Sequence, residues 1–479
     1  MNGIPLLLLA TPLIACLLVA WGFPAKRIAI LSALLSLFLC AALALNFQPH
    51  GARWQFETHI PWIAYRDLLS LQFHIGIDGI NLAFLLLTAI ISLTAMAVTP
   101  ENIARAKEFF ICLLLISFGS MGSFLSLDLF FFYLFHEIAL IPTFLLIALW
   151  GFHEKKVIAW QMTIYLAMGS LLLLAGILAF YFALPAHARA LDIAFIKPHS
   201  IARESQAYVF FLLLAGFGVL ASLWPFHNWA PKSYAASPPA TAIFHTGVLK
   251  QIGFYGLLRI AVPFLPQALA DFSHVLFIFL LMNILYIGWV ALAQKHLDMM
   301  LGFSSVMHIG YLFLGLVCLN LTSLTGAVFL AVAYGLSSAM LFGLMGEIRR
   351  YIPSLAFQHM GGLASKTPRI TVFFIFAALA SIGLPGLAGF PGEMLVIFGA
   401  WTLFPIPAVL ALAGIFLSTI YMLRAIRSIF FGAPTPQEIP DIQHKWPYIL
   451  LSSCILFLGI YPASLTQWLK PALKITLGL

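Results

Sequence analysis

Charge is what this sequence has least of: Asp, Glu, Lys and Arg make up 8% of its 479 residues, where a soluble domain carries roughly 25%. So few charged groups cannot keep a chain of this size in water, and no stretch between its apolar runs has the composition of a soluble domain. Motifs for nucleotides and electrons are missing too. There is no P-loop, no His-Glu-x-x-His zinc signature (His136-Glu137 runs on into Ile138-Ala139-Leu140), no dinucleotide glycine fingerprint and no haem or cluster motif. Whatever work the chain does therefore draws on an external energy source. Cys16, Cys40, Cys112, Cys318 and Cys454 stand far apart inside apolar runs, without the close spacing of zinc or iron–sulfur ligands. They read as small core hydrophobes. The formal charge of +8 comes from scattered loop Lys and Arg. With no basic helix or aromatic-basic patch, it marks topology and not a nucleic-acid partner.

What the chain has is hydrophobicity: 62% of residues, in runs from Leu6 to Leu469, each near the roughly 20 residues that span a bilayer core of about 30 Å. With Pro, Gly and charge as punctuation, helices are expected near residues 4–22, 28–47, 77–98, 109–126, 129–150, 160–183 and 207–224. Seven more are expected near 238–262, 270–293, 300–319, 324–346, 370–403 with an interruption, 406–431 and 447–469. The expected fold is an all-α polytopic membrane protein of about fourteen transmembrane helices. Met1 to Gly22 lacks a basic n-region and a small-residue cleavage site, so it is kept as the first helix and not as a signal peptide.

An even helix count puts both termini on one side, and the loops then fall into two sets. One holds fifteen Lys and Arg; the other, with the C-terminal tail, holds eight, among them Arg53, Arg66 and Arg259. The basic-rich set is expected to face the cytoplasm, with both termini on the non-cytoplasmic side. Two segments break in a similar way, at Trp224-Pro225 through Pro238-Pro239 and at Gly383-Leu384-Pro385-Gly386 through Pro391-Gly392. Pro and Gly free backbone polar groups there, and at membrane depth such groups must line a polar cavity or be buried in protein. The breaks fall in the seventh and twelfth segments, five apart, as two inverted five-helix repeats would place them. The expected organisation is 1–107 (helices 1–3), 108–262 and 263–432 (the two five-helix units), and 433–479 (the last helix).

An ionisable side chain at mid-membrane is costly unless paired or hydrated, so each is a functional candidate. Glu137 lies eight residues into the fifth segment, where it could hold or release a proton. Lys250 lies near the middle of the eighth, and a desolvated Lys gives up its proton readily. His245, five residues earlier, would point about 140 degrees away on a regular helix, and either core packing or a relay role fits it. In the tenth, Ser304, His308 and Tyr311 would share one face that could hold a water wire. Glu393 follows the second break, a place for a terminal proton site. Asp78 and Asp128 stand at helix starts and read as caps. Trp150, Trp224, Trp229 and Trp401 near helix ends read as interfacial belt residues.

Several stretches together resemble a known family, the antiporter-like membrane subunits shared by NADH:quinone oxidoreductase (respiratory complex I) and Mrp-type cation/proton antiporters. They are Phe73-His-Ile-Gly-Ile-Asp78, Phe135-His-Glu137, Leu146-Ile-Ala-Leu-Trp150-Gly, Trp224-Pro-Phe-His-Asn-Trp229-Ala-Pro231, Tyr255-Gly-Leu-Leu-Arg259, Ser305-Val-Met-His308, Gly392-Glu393 and Ile397-Phe-Gly399. They come in the family's order and near its spacing, closest to the M-type members; the chain ends too soon after the last segment for the long lateral helix of the L-type. The resemblance implies a proton path in which a fifth-helix glutamate pairs with a seventh-helix lysine, an eighth-helix lysine stands centrally and a twelfth-helix glutamate ends the path. Glu137 and Glu393 match directly, and His308 matches the tenth-helix histidine. The chain departs from the pattern at Leu220, where the seventh-helix lysine belongs, at Gln251, with Lys250 one residue early, and at Tyr334, where M-type members often carry histidine. The resemblance also implies that the chain holds no cofactor or metal, and that NADH, flavin, iron–sulfur clusters and quinone belong to partner subunits. L-, N- and K-type membrane subunits would be neighbours, in a bacterial inner membrane. An Mrp-type antiporter subunit, a membrane subunit of a hydrogenase or an inorganic-carbon uptake complex, and a scaffold that has lost its path, which Leu220 would suit, are the alternatives.

Overall fold

The computed structural model describes residues 3–65, 69–186, 189–433, 440–442 and 444–479. Met1 of the first segment and Arg66 of the smaller basic set lie outside the described residues. Helices α1 (Ile4–Ala20) and α2 (Ala25–Asn46) lead into an antiparallel hairpin of β1 (Gln55–Tyr65) and β2 (Leu69–Ile77). Then come α3 (Gly79–Val98), α4 (Ala106–Leu125), α5 (Leu129–Trp150), α6 (Lys155–Ala183) and α7 (Arg203–Leu220). The first break carries α8 (Trp229–Ala236), after which α9 (Pro239–Phe244), a π turn (His245–Leu249) and α10 (Lys250–Phe264) run on as one rod.

The second half opens with α11 (Pro266–Asp271), α12 (Ser273–Leu281), a π turn (Met282–Tyr286) and α13 (Ile287–Ala293). It continues through α14 (Leu297–Val317), α15 (Leu321–Arg349), α16 (Leu363–Lys366), α17 (Pro368–Ser381), α18 (Gly389–Trp401) and α19 (Pro405–Phe430). The chain closes on α20 (Trp446–Ile460) and α21 (Ala463–Leu477). Among the described residues nine helices are long and apolar enough to cross a membrane, ten if α20 and α21 count as one bent span.

The structure corrects the all-α expectation: the residues before α3 form the β1–β2 hairpin. The alternation in Leu71-Gln-Phe-His-Ile-Gly-Ile77 is a strand pattern, but the hydrophobicity around it masks the period of two. The expected single last helix is two, bent by 69° at Tyr461-Pro462, because Pro462 has no N–H to continue the ladder. Arg259, assigned to a loop, lies inside α10 and is 4% exposed. Trp229 is buried, its indole donating to Val219 O at 3.0 Å, so it is no belt residue, whereas Trp401 is exposed.

The core sits on α15, whose apolar stretch is buried from end to end and which packs against α3, α9, α14, α17, α18 and α21. Around it the chain satisfies its broken backbone explicitly. At the first break Trp224 N–H donates to Asn283 Oδ1 at 2.7 Å, and the Asn283 amide donates to Val306 O at 2.7 Å. A side chain held in the second π turn thus supplies the acceptor that the interrupted helix lost. The second break turns on Gly383 (φ +72°) and Gly386 (φ +92°). At Gly383 any Cβ would also overlap the Glu393 carboxylate, so glycine there opens the space the acid occupies.

Asp78 and Asp128 cap α3 and α5 as expected, each accepting from two backbone N–H groups. Beside them the hairpin carries a cluster of titratable groups: His74 Nδ1 meets Asp192 Oδ2 at 2.7 Å and Nε2 meets Glu57 Oε2 at 3.0 Å. His59 packs edge-on against the ring, and Asp128 bridges backbone to backbone with Asp192. Burial works against the charged imidazole, but the bond and charge of Asp192, followed by those of Glu57, outweigh it and raise the His74 pKa. Burial, against its backbone hydrogen bonds and with the Asp192 charge, raises the Asp128 carboxyl to about 6.

Both raised values act in one direction. The native state holds protons that the unfolded chain has released, so each contribution is complete below the unfolded value and fades as pH rises through the folded one. Hydrogen–deuterium exchange of β1 and β2 is expected to quicken, relative to its intrinsic rate, as pH rises. His74→Gln should abolish the part of the change above the ordinary imidazole range, about pH 6.5; an unaltered profile would show that His74 does not set it.

Candidate functional site

Five helices, α10, α14, α15, α17 and α18, bring the central groups together. Lys250, 1% exposed, stands where the first π turn ends and α10 begins. Its Nζ donates to Ser305 O at 3.0 Å and to the Ser305 hydroxyl, and lies 4.6 Å from the centre of the Tyr334 ring. The ring of Tyr334, from α15, stacks on His308 of α14 with centroids 4.2 Å apart and planes 19° from parallel. A cation over an aromatic face is held without a counter-ion, and among the described residues no ion pair includes Lys250.

His308 faces a backbone carbonyl with each ring nitrogen, Nδ1 to Ser304 O at 2.7 Å and Nε2 to Ser381 O at 3.0 Å. Neutral imidazole has one N–H and imidazolium two. Two acceptors therefore suit a ring that takes up a second proton. Ser381 is the last residue of α17, at the lip of the second break, so His308 joins the Tyr334 ring that Lys250 faces to the break that Glu393 follows. Glu393, 3% exposed, lies in the second turn of α18, on the far side of the break, beside Gly383.

The expected shared face of Ser304, His308 and Tyr311 is present. Ser304 Oγ lies 2.8 Å from Tyr421 OH, and Tyr311 OH donates to Ala411 O at 2.7 Å, so the face turns toward α19. Sequence reasoning missed Ser305, Ser381 and Tyr421. The Ser304-Ser305 pair one turn ahead of His308 was an available signal; Ser381 and Tyr421 are distant in sequence and join only by packing. His245 needs a correction too. Lys250 N–H bonds to His245 O, and in a π turn residues five apart stand above one another. The two therefore share a face, and the angle of about 140 degrees for a regular helix does not apply.

Glu137 is not part of this cluster. Its carboxylate accepts from Ser170 of α6 and lies 3.7 Å from His136 Nδ1, with the side chain 33% exposed on the outside of this chain. Leu220 ends α7 and is buried, an apolar side chain at the position where the resemblance implies a lysine. A second buried pair was also missed: Arg259 grips Asp78 in a two-pronged bond, Nη1 to Oδ2 at 2.6 Å and Nη2 to Oδ1 at 2.5 Å.

Residues 126–420 match the family described as NADH:quinone oxidoreductase/Mrp antiporter, transmembrane. The chain belongs to this family. It is 30% identical to NADH-quinone oxidoreductase subunit M of Rickettsia typhi over 91% of this chain and 89% of that one. It superposes on a chain of respiratory complex I from Thermus thermophilus with a TM-score of 0.89, at 26% identity and over 99% of both chains. A chain of the Mrp complex from a Dietzia species shares the fold, with a TM-score of 0.88 at 19% identity over 99% of this chain and 97% of that one. The protein is thus an integral, multi-pass membrane subunit that works within a multi-subunit complex.

Proposed function

We propose that this chain is the M-type, proton-translocating membrane-arm subunit of an NADH:quinone oxidoreductase. Electron transfer in partner subunits, which hold the NADH, flavin, iron–sulfur and quinone chemistry, drives protons through Lys250, His308 and Glu393, with Glu137 as the acid of the first unit. Lys250 carries this reading: an ammonium sealed at 1% exposure with a hydroxyl, a carbonyl and an aromatic face around it is costly in a membrane and has a use if it gains and loses a proton. His308 supports it as the next acceptor, and the two breaks support an antiporter-like arrangement of two inverted five-helix units at 108–262 and 263–432. In this arrangement the chain crosses the membrane fourteen times, flanked by segments 1–107 and 433–479. Both termini lie on the non-cytoplasmic side of a bacterial inner membrane, and L-, N- and K-type subunits adjoin.

The test replaces His308 with Leu, and separately Glu393 with Gln, in the assembled complex. NADH-driven proton uptake in sealed vesicles is expected to fall by roughly 10²-fold, the scale of losing one positioned proton-transfer group, while electron transfer to an artificial acceptor in the redox arm persists. Proton uptake at the unaltered rate in both variants would end this reading.

A further inference from the structure

Leu220 leaves Lys250 without the cationic neighbour through which Glu137 could reach it, and the structure offers another supply. A cavity of about 540 Å³ opens among the ends of α3, α5 and α15, floored by Pro238, Pro239 and Ala240 at the start of α9. It lies on the face that bears the basic-rich loops. The guanidinium groups at its rim do not bar a proton, since Arg349 is paired with Asp298 and Arg350 with Glu347.

From this floor inward, buried polar atoms without partners follow one another. Thr241 Oγ1 is unbonded and fully buried. Helical threonines elsewhere in the chain bond back four residues, as Thr246 does to Ala242 O at 2.8 Å. Thr241 has no such acceptor, because four residues back stands Ser237, in extended backbone before Pro238. One turn on, His245 Nε2 is unbonded, and the Tyr234 hydroxyl, its ring 5.7 Å from that of His245, is unbonded as well. A further turn on, the π turn sets Lys250 on the face of His245, and Gln251 Oε1 beside it is also free. Each unmet buried group costs about 1–3 kcal/mol, and ordered water is what ordinarily meets such groups.

We infer that in this chain water fills a passage from the cavity under Pro238-Pro239 past Thr241 and Tyr234, and that His245 relays protons through it to Lys250. The relay takes a proton from water onto the Nε2 lone pair and passes it, through water, to the lone pair of the neutral Lys250 amine. One N–H bond forms as the other breaks, and nothing else is consumed. Thr241 and Tyr234 position the water; the π turn is the device that aims Lys250 into the passage.

The inference rests on Lys250 being a proton carrier, so its test carries Lys250→Ala alongside. In the assembled complex, in sealed vesicles, His245→Leu is expected to lower NADH-driven proton uptake at least fivefold and Tyr234→Phe about twofold. Thr246→Val, whose hydroxyl is taken up by its own helix, should pump normally. A Thr241→Cys thiol, in a background without other reactive thiols, should be labelled by a water-soluble thiosulfonate from the cavity side only. Should His245→Leu fail to assemble, His245→Gln and the labelling decide. Uptake at the unaltered rate in the histidine variant, or a Thr241→Cys thiol that stays unlabelled, overturns the inference. If Lys250→Ala also pumps normally, it is the proposed function that fails.

Discussion

Replacing Lys250 with Ala is expected to stop NADH-driven proton uptake almost completely, by roughly 10²-fold, in a complex that still assembles. The more telling variant is Lys250→Arg. Arg keeps a positive charge, can donate to Ser305 and can lie over the Tyr334 ring as Lys250 does, but it does not release its proton in proteins. If the ammonium were only a structural cation, Arg would rescue it; as a carrier it should be as inactive as Ala. Proton uptake, coupled turnover and subunit content on a native gel would be read side by side. Full pumping by the Arg variant would assign Lys250 to structure.

The second large effect is on assembly. Asp78 caps α3, accepting from Ile80 and Asn81 N–H, and at the same time holds Arg259 of α10 in a buried pair with both partners under 5% exposed. The guanidinium also lies over Trp54 and Tyr255, at 5.2 and 5.0 Å, so it ties the loop before the hairpin, α3 and α10 together. Arg259→Ala leaves a buried carboxylate alone, which costs about 3–5 kcal/mol, and the subunit is expected to be lost from the complex on a native gel. Asp78→Asn combined with Arg259→Met removes both charges while Asn keeps a capping oxygen. That double variant should recover part of the assembled complex, because a buried pair replaced whole costs far less than one broken. Equal loss in single and double variants would show that the site depends on the charges themselves.

The family, most of the apolar helices and several of the buried titratable residues were legible in the sequence, for one reason. In a bilayer the backbone must satisfy itself, so helices of fixed minimum length, broken only where protein or water can compensate, are almost the only choice. The two breaks, the caps at Asp78 and Asp128, and the candidacy of Lys250, His308 and Glu393 follow from residue type and position along such helices.

What the sequence could not decide was which residues meet. A period of 3.6 placed His245 on the wrong face, because the π turn at His245–Leu249 is a tertiary accommodation without a local signature. It could not tell that Ser381 and Tyr421, 73 and 117 residues from the partners they bond, complete the site. Nor could it tell that Arg259 belongs to the core and Glu137 to the outer face. The hairpin was hidden for a related reason: strand alternation disappears where almost every residue is apolar. The sequence by itself determined a membrane-embedded chain of this family with few, costly and therefore usable charges. Only packing around α15 decided that Lys250, Tyr334 and His308 meet and that His308 reaches the lip of the second break, since contact across helices is set by side-chain fit and not by the pattern along any one of them.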